Sequence, residues 1–210
     1  MLSYNIAYTG KPIQGVDYMP RPQSDKKYTY ADYLAWPEDE RWEIIDGVPY
    51  MQAAPTWQHQ AISGNFFAQF HDYLKDKPCR VFAAPFDLCI PEYNESDEEI
   101  SNIISQPDIV VICDESKLRK TGFFGIPSLI IEITSPSTAR KDKLLKFNTF
   151  EKAGVKEYWI VEPENKLVNV FFLQESNRYG RPEIFSDEDK IQVHTFPDLV
   201  IDLKLVFANL

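Results

Sequence analysis

Two apolar runs of this chain each carry one carboxylate, and this constrains the fold more than any other feature. Pro107-Asp108-Ile109-Val110-Val111-Ile112 and Leu129-Ile130-Ile131-Glu132-Ile133-Thr134 are rich in β-branched residues and read as strands covered on both faces. A carboxylate there is costly unless it is paired with a cation or bound to a metal. Alternate side chains share a strand face, so Glu132 and Thr134 point away from Ile131 and Ile133. If the strand after Asp108 lies alongside, Asp108 and Glu132 meet near a common edge. Two carboxylates plus a strand carbonyl, that of Ile133, form an oxygen set suited to Mg2+ or Mn2+. A cation there would polarise a phosphate and lower the pKa of a water, which points to metal-dependent phosphodiester hydrolysis. The competing reading is a buried salt bridge between Glu132 and Lys146.

Pro136 ends the second run, and Ser137 or Thr138 can cap a helix that reaches about Ala153, with Gly154 as its stop. Asp142 and Lys146 stand one turn apart on that helix. Its buried stripe is expected to pass through Leu144, Phe147 and Phe150. Lys146 then lies about 40° from Phe150 and can reach the sheet edge. Upstream, Thr29–Ala35 reads as a short capped helix and Trp42–Met51 as a hairpin turning at Asp46-Gly47. Ile62, Phe66, Phe67, Phe70 and Leu74 recur at helical spacing within Trp57–Leu74. Val81–Ile90 reads as one strand, 91–105 as an acidic loop, and Glu157–Val161 and Leu167–Leu173 as further strands. Residues 178–195 suggest a hairpin around Gly180-Arg181-Pro182, and Leu199–Phe207 a last strand and short helix. The expected organisation is an extended arm over residues 1–26, followed by one mixed α/β (α+β) domain over 27–210.

An apolar fraction of 44% marks a folded chain, and no apolar run approaches the roughly 18 residues of a membrane span. The amino terminus lacks the pattern of a secretory signal, so a cytoplasmic location is expected. Three cysteines, Cys79, Cys89 and Cys113, show no paired spacing and are expected as buried free thiols. A net charge of −10 opposes nucleic-acid binding, which depends on cations that displace counterions. Bases nevertheless cluster at Lys117, Arg119 and Lys120 and at Arg140, Lys141, Lys143 and Lys146, on either side of the candidate site. There is no glycine-rich phosphate loop, Gly-x-Ser-x-Gly elbow or zinc-type cysteine pair.

The order of these motifs resembles a known family. Pro107-Asp108, then Glu132-x-x-Ser135-Pro136-Ser137-Thr138, Asp142-x-x-x-Lys146 and Gly154-Val155-Lys156-Glu157-Tyr158-Trp159-Ile160-Val161 look like the Uma-two family of restriction-type endonucleases, in the PD-(D/E)XK nuclease superfamily. The resemblance extends upstream through Glu43-Ile44-Ile45-Asp46-Gly47 and His59-Gln60. It implies a restriction-endonuclease-like core, a mixed central sheet flanked by helices, with an extra N-terminal hairpin and C-terminal strands. Asp108 and Glu132 would be the metal carboxylates. The superfamily's lysine usually stands two residues after the second acid. Here that position is Thr134, so the resemblance implies that Lys146 takes the role. Glu43 is a further acid near the metal or a polar group beside the hairpin. His59 is a phosphate contact, a water-orienting base or a structural helix-start residue. The implied activity is that of a Mg2+- or Mn2+-dependent DNA endonuclease working as a homodimer. The rival is a catalytically inactive nuclease-fold module that binds nucleic acid or protein, favoured by Thr134 and the acidic net charge.

Overall fold

The computed structural model describes residues 26–210 apart from 38, 94–98, 137 and 209, with the backbone alone at 92–93 and 99–102. The expected arm lies outside the described residues save for Lys26, as does Ser137 as a cap. In chain order, α1 (Tyr30–Tyr33) leads to β1 (Trp42–Ile45) and β2 (Val48–Met51), and α2 (Trp57–Leu74) follows. Next come β3 (Arg80–Ala83), β4 (Leu88–Tyr93), β5 (Glu99–Ser105), β6 (Ile109–Ile112), β7 (Leu118–Arg119), β8 (Gly122–Phe124) and β9 (Leu129–Ile133). A π-helical turn, Lys141–Lys146, runs into α3 (Phe147–Ala153) and β10 (Glu157–Glu162). The chain closes with β11 (Leu167–Phe172), β12 (Glu183–Ser186), β13 (Lys190–Gln192), β14 (Val200–Asp202) and α4 (Leu203–Val206).

The central sheet has the order β12-β11-β10-β9-β6-β3, and a second six-stranded sheet has the order β2-β1-β5-β4-β8-β7. Within the central sheet β9 pairs parallel to β10, while its other neighbours are antiparallel. Parallel neighbours need a crossover, and the π turn with α3 supplies it. Alternation along each strand then sorts the core into two layers. Leu129, Ile131 and Ile133 of β9 pack with Ile62, Phe66 and Phe70 of α2. Ile130 of the same strand packs with Phe150 of α3 and with Leu88 and Phe123 of the second sheet. Glu132 shares the face of Ile130, so the crossover passes over it.

Local signals explain most elements. Thr29 and Asp32 form a reciprocal cap on α1. Thr56 caps α2 by accepting from the His59 amide, and Gly154 ends α3 at φ 86°. Asp46 and Gly47, at φ 51° and 74°, make the tight turn between β1 and β2.

Several expectations are corrected. The run Val81–Ile90 is two strands in different sheets, interrupted around Pro85, which has no amide to donate. Apart from 94–98, the acidic loop 91–105 is largely the antiparallel pair β4 and β5, in which Ile103 and Ile104 are buried. The hairpin over 178–195 does not form, because β12 pairs with β11 and β13 with β14. The cap after β9 is Ser135, whose hydroxyl accepts from the Thr138 amide at 3.3 Å while Thr138 Oγ1 accepts from the Ser135 amide at 3.0 Å. Cys79 and Cys113 form a disulfide, leaving Cys89 free and buried. Arg80 faces Ile112 in the β3–β6 register, and this brings cysteines 34 residues apart opposite each other, with Cα atoms 4.1 Å apart. Among the described residues no helix is long and apolar enough to cross a membrane.

The helix stripe also differs. Phe150 is fully buried, but Leu144 is 53% exposed. A π turn bonds residue i to i+5, so side chains before α3 rotate relative to an α-helix. Leu144→Ala is expected to change stability by at most about 0.5 kcal/mol, whereas Phe150→Ala should cost about 3–5 kcal/mol. Urea unfolding of both variants checks this, and equal losses would contradict the outward placement of Leu144.

Candidate active site

The antiparallel register of β6 and β9 pairs Ile109 with Ile131, and continued by one residue it sets Asp108 opposite Glu132. These carboxylates therefore stand side by side at the end of the central sheet, as the residue pattern suggested. They line a cavity of about 670 Å³ together with His59, Lys141, Lys146 and Arg41.

Lys146 descends from the π turn onto Glu132. Its Nζ lies 2.7 Å from Glu132 Oε1, 2.7 Å from Glu43 Oε1 and 3.9 Å from Asp142 Oδ1, in a side chain only 3% exposed. Burial alone would lower the lysine's pKa, but Glu132, Glu43 and Asp142 outweigh it and hold the ammonium charged. The salt bridge between Glu132 and Lys146 is present, and it does not exclude a role for Glu132 at the cavity. The Glu132 carboxyl is pushed well above the usual range, chiefly by burial, with Asp142, Asp108 and Glu43 adding repulsion and Lys146 opposing.

Glu43, on β1, comes from the second sheet and is fully buried. Its Oε1 accepts from Ser105 Oγ at 2.8 Å and from the Gln106 amide at 2.9 Å, in addition to Lys146. Its Oε2 accepts from Lys141 Nζ at 2.7 Å and from Gln52 Nε2. Burial pushes the carboxyl up, but Lys146 and Lys141 more than compensate and bring it down to about 2. Glu43 is thus drawn into the site, with both oxygens engaged by protein donors and oriented to the lysines.

Asp108 Oδ2 accepts from the Ile133 amide at 2.7 Å and lies 3.1 Å from His59 Nε2. Burial would lower the His59 pKa, but the hydrogen bond and charge of Asp108 prevail and raise it. His59 sits in the first turn of α2, and its Nδ1 is buried with no partner among the described residues. Thr134, at the position where the superfamily's lysine usually stands, donates its hydroxyl to the Val161 carbonyl at 2.9 Å. Asp87 accepts from Tyr33 and Gln106 inside the fold.

The residues present fit a divalent cation. Asp108 Oδ1 and Glu132 Oε2 accept no hydrogen bond among the described residues, and both side chains border the cavity. Among the described residues no group of three or more His, Cys, Asp or Glu is arranged to hold a metal. Coordination would therefore rest on the two carboxylates and a main-chain oxygen, with water and substrate oxygens completing the shell; Ile133 also lines the cavity.

The sequence named Lys141 only as one of a basic cluster and did not point to Gln52, Ser105 or Gln106. On an α-helix Lys141 and Lys146 point about 140° apart. The π turn brings residues five apart onto one side, and both lysines reach Glu43.

A mixed sheet whose helical crossover covers paired carboxylates at the sheet end defines a nuclease-like fold. A crystal structure from Anabaena variabilis, described as "a putative nuclease belonging to DUF820", shares it at a TM-score of 0.68 and 20% identity, covering 86% of this chain and 98% of that one. Residues 30–204 match the Uma2 family, described as "Putative restriction endonuclease", and the chain belongs to that family. The uncharacterized protein slr1290 of Synechocystis sp. is 26% identical over 152 residues, covering 69% of this chain and 74% of the relative. A second uncharacterized Synechocystis protein, sll1609, is 28% identical over 142 residues, covering 65% and 76%.

The opposite shifts of Glu43 and Glu132 give the stability a defined acid limb. Glu43 is held down at about 2 from an ordinary 4.5, so its contribution is present above pH 4.5 and lost as pH falls toward 2. The shift corresponds to a contribution on the order of 3 kcal/mol. Glu132 and Asp142, both raised, oppose this slope near their ordinary values of 4.5 and 3.8, where only the unfolded state takes up protons, and add little below them. Glu43→Gln is expected to flatten the acid limb in denaturant unfolding measured from pH 5 to pH 2 (roughly the span of the shift). A limb as steep as that of the unchanged protein would refute this assignment.

Proposed function

We propose that the protein is a metal-dependent endonuclease that hydrolyses phosphodiester bonds in DNA. The observation that carries this reading is the register that sets Asp108 against Glu132 at the cavity, with Lys146 fixed on Glu132. Asp108, Glu132 and the Ile133 carbonyl would hold Mg2+ or Mn2+. When bound, such a cation supplies Lewis-acid polarisation of a phosphate and a lowered pKa for a bound water.

The chain's own residues do the rest. His59 holds one oxygen of Asp108 and leaves the other turned to the cavity. Lys146 is too enclosed to meet a phosphate directly, so it acts as a positioning residue that fixes the Glu132 carboxylate and offsets its charge. Glu43 anchors Lys146 from the far side. Although burial opposes it, Asp108 raises the His59 pKa and favours an imidazolium beside that carboxylate, suiting His59 to hold Asp108 in position. We extend the proposal to a cytoplasmic homodimer on the sequence grounds above; a monomer in sedimentation at micromolar concentration would remove the dimer.

A second reading, a nuclease-fold module without catalysis, is favoured by Thr134, whose hydroxyl is tied to Val161 where the usual lysine would stand. The deciding experiment is cleavage of plasmid and single-stranded DNA with Mg2+ or Mn2+. Asp108→Asn and Glu132→Gln are expected to lose at least about 10²–10³-fold in rate. Lys146→Gln should lose about 10–100-fold and need more metal for half-maximal rate, the mark of a residue acting through a ligand. A folded unchanged protein that cuts neither substrate would overturn the enzyme reading in favour of the binding module.

A further inference from the structure

Beside the carboxylates, the cavity wall made by the second sheet and the π turn carries two cations that the proposed chemistry does not use. Arg41 immediately precedes β1, and its backbone carbonyl accepts from the Gln52 amide at 2.8 Å. Its Nε donates to Gln106 Oε1 at 3.1 Å, and among the described residues it forms no ion pair. Lys141 stands across Gln106 and Glu43 from it. Its side chain is 13% exposed, and its Nζ is 2.7 Å from Glu43 Oε2. The Gln106 amide donates to Glu43 Oε1, so Arg41, Gln106, Glu43 and Lys141 form one hydrogen-bonded chain along the wall. Both cations border the same cavity as Asp108 and Glu132.

A half-buried guanidinium held by a neutral amide is desolvated without a compensating charge. An anion entering the cavity would supply it. A polyanion brought next to Asp108 and Glu132, on a chain of net charge −10, is repelled unless cations stand close by. Lys141 can turn toward an anion without stranding Glu43, which keeps Lys146, Ser105, Gln106 and Gln52 as donors. Lys146 has no such freedom, being enclosed by three carboxylates.

We propose that Arg41 and Lys141 form a phosphate-binding wall for a nucleic-acid backbone, contacting phosphates beside the one that meets Asp108 and Glu132. The guanidinium suits two-pronged contact with phosphate oxygens and the ammonium a single-point contact. This inference rests on the nuclease reading, because it places nucleic acid in that cavity.

The test is the salt dependence of binding to fluorescein-labelled single-stranded and duplex oligonucleotides, with Ca2+ in place of the cleaving cation. Dissociation constants are measured between about 50 and 200 mM salt. For Arg41→Gln and for Lys141→Gln, the log–log slope should shrink by about 0.7 on single strands or about 0.9 on duplex, one phosphate contact each. The double variant should lose both contacts, and Arg41→Lys should keep the slope of the unchanged protein. Arg41→Gln removes no ion pair, so it leaves a folded protein even if Lys141→Gln lowers the melting midpoint. An unchanged slope in either single variant, on the oligonucleotide the unchanged protein binds, overturns the wall and leaves the nuclease reading intact. If the unchanged protein binds neither oligonucleotide, the nuclease reading and the wall fall together.

Discussion

Lys146 ties together three parts of the chain. Glu132 belongs to the central sheet, Glu43 to the second sheet, and Lys146 to the crossover between β9 and β10. Both glutamates are buried, and the Lys146 ammonium lies 2.7 Å from an oxygen of each. The parallel pairing of β9 and β10 forces a crossover over one face of the sheet, and Glu132 lies on that face. Topology thus brings the lysine to the carboxylate, and the ammonium in turn fixes the second sheet against the first through Glu43.

The geometry of the crossover decides which cations arrive. Leu144 and Leu145 turn outward along the π turn, exposing apolar surface, while Lys141 and Lys146 converge on Glu43. A uniform α-helix would place Lys141 far round the helix from Lys146 and leave Glu43 with a single counter-charge. Two lysines on one carboxylate account for its low pKa and leave Lys146 able to share its charge with Glu132. An irregular turn is thereby tied to the electrostatics of the site, a common association for π-helical segments.

What the sequence discloses follows from how local each signal is. The extent of α2, the turn at Asp46-Gly47, the stop at Gly154 and the adjacency of Asp108 and Glu132 depend on periodicity, caps and strand alternation, and all are legible. The contact of Lys146 with Glu132 was also foreseeable, as the pairing that a buried acid demands. Gln52, Ser105 and Gln106 converge on Glu43 only through the packing of the second sheet, which no single stretch encodes. Lys141 needs the i,i+5 geometry of a π turn, whereas its sequence reads as an ordinary helix. The Cys79–Cys113 pair is set by the β3–β6 register, and the acids around residues 92–99 hide a hairpin because charge suggests a loop.

Glu43 and Glu132 share one lysine yet are driven in opposite directions, and this division bears on the proposed chemistry. Glu43 has donors on both oxygens, so it stays ionised and serves as a fixed anchor. Glu132 is pushed up chiefly by burial and also faces other carboxylates, so its affinity for protons is high. A carboxylate that binds protons tightly is also a strong donor to a small dication, and the two compete for the same oxygen. Cation binding at Asp108 and Glu132 would therefore expel a proton and strengthen as pH rises. Thr134 cannot take part in that exchange, because its hydroxyl is spent on Val161. With the lysine placed on the crossover instead, one ammonium serves Glu132 and the junction of the sheets together, which ties the electrostatics of the proposed metal site to the packing of the domain.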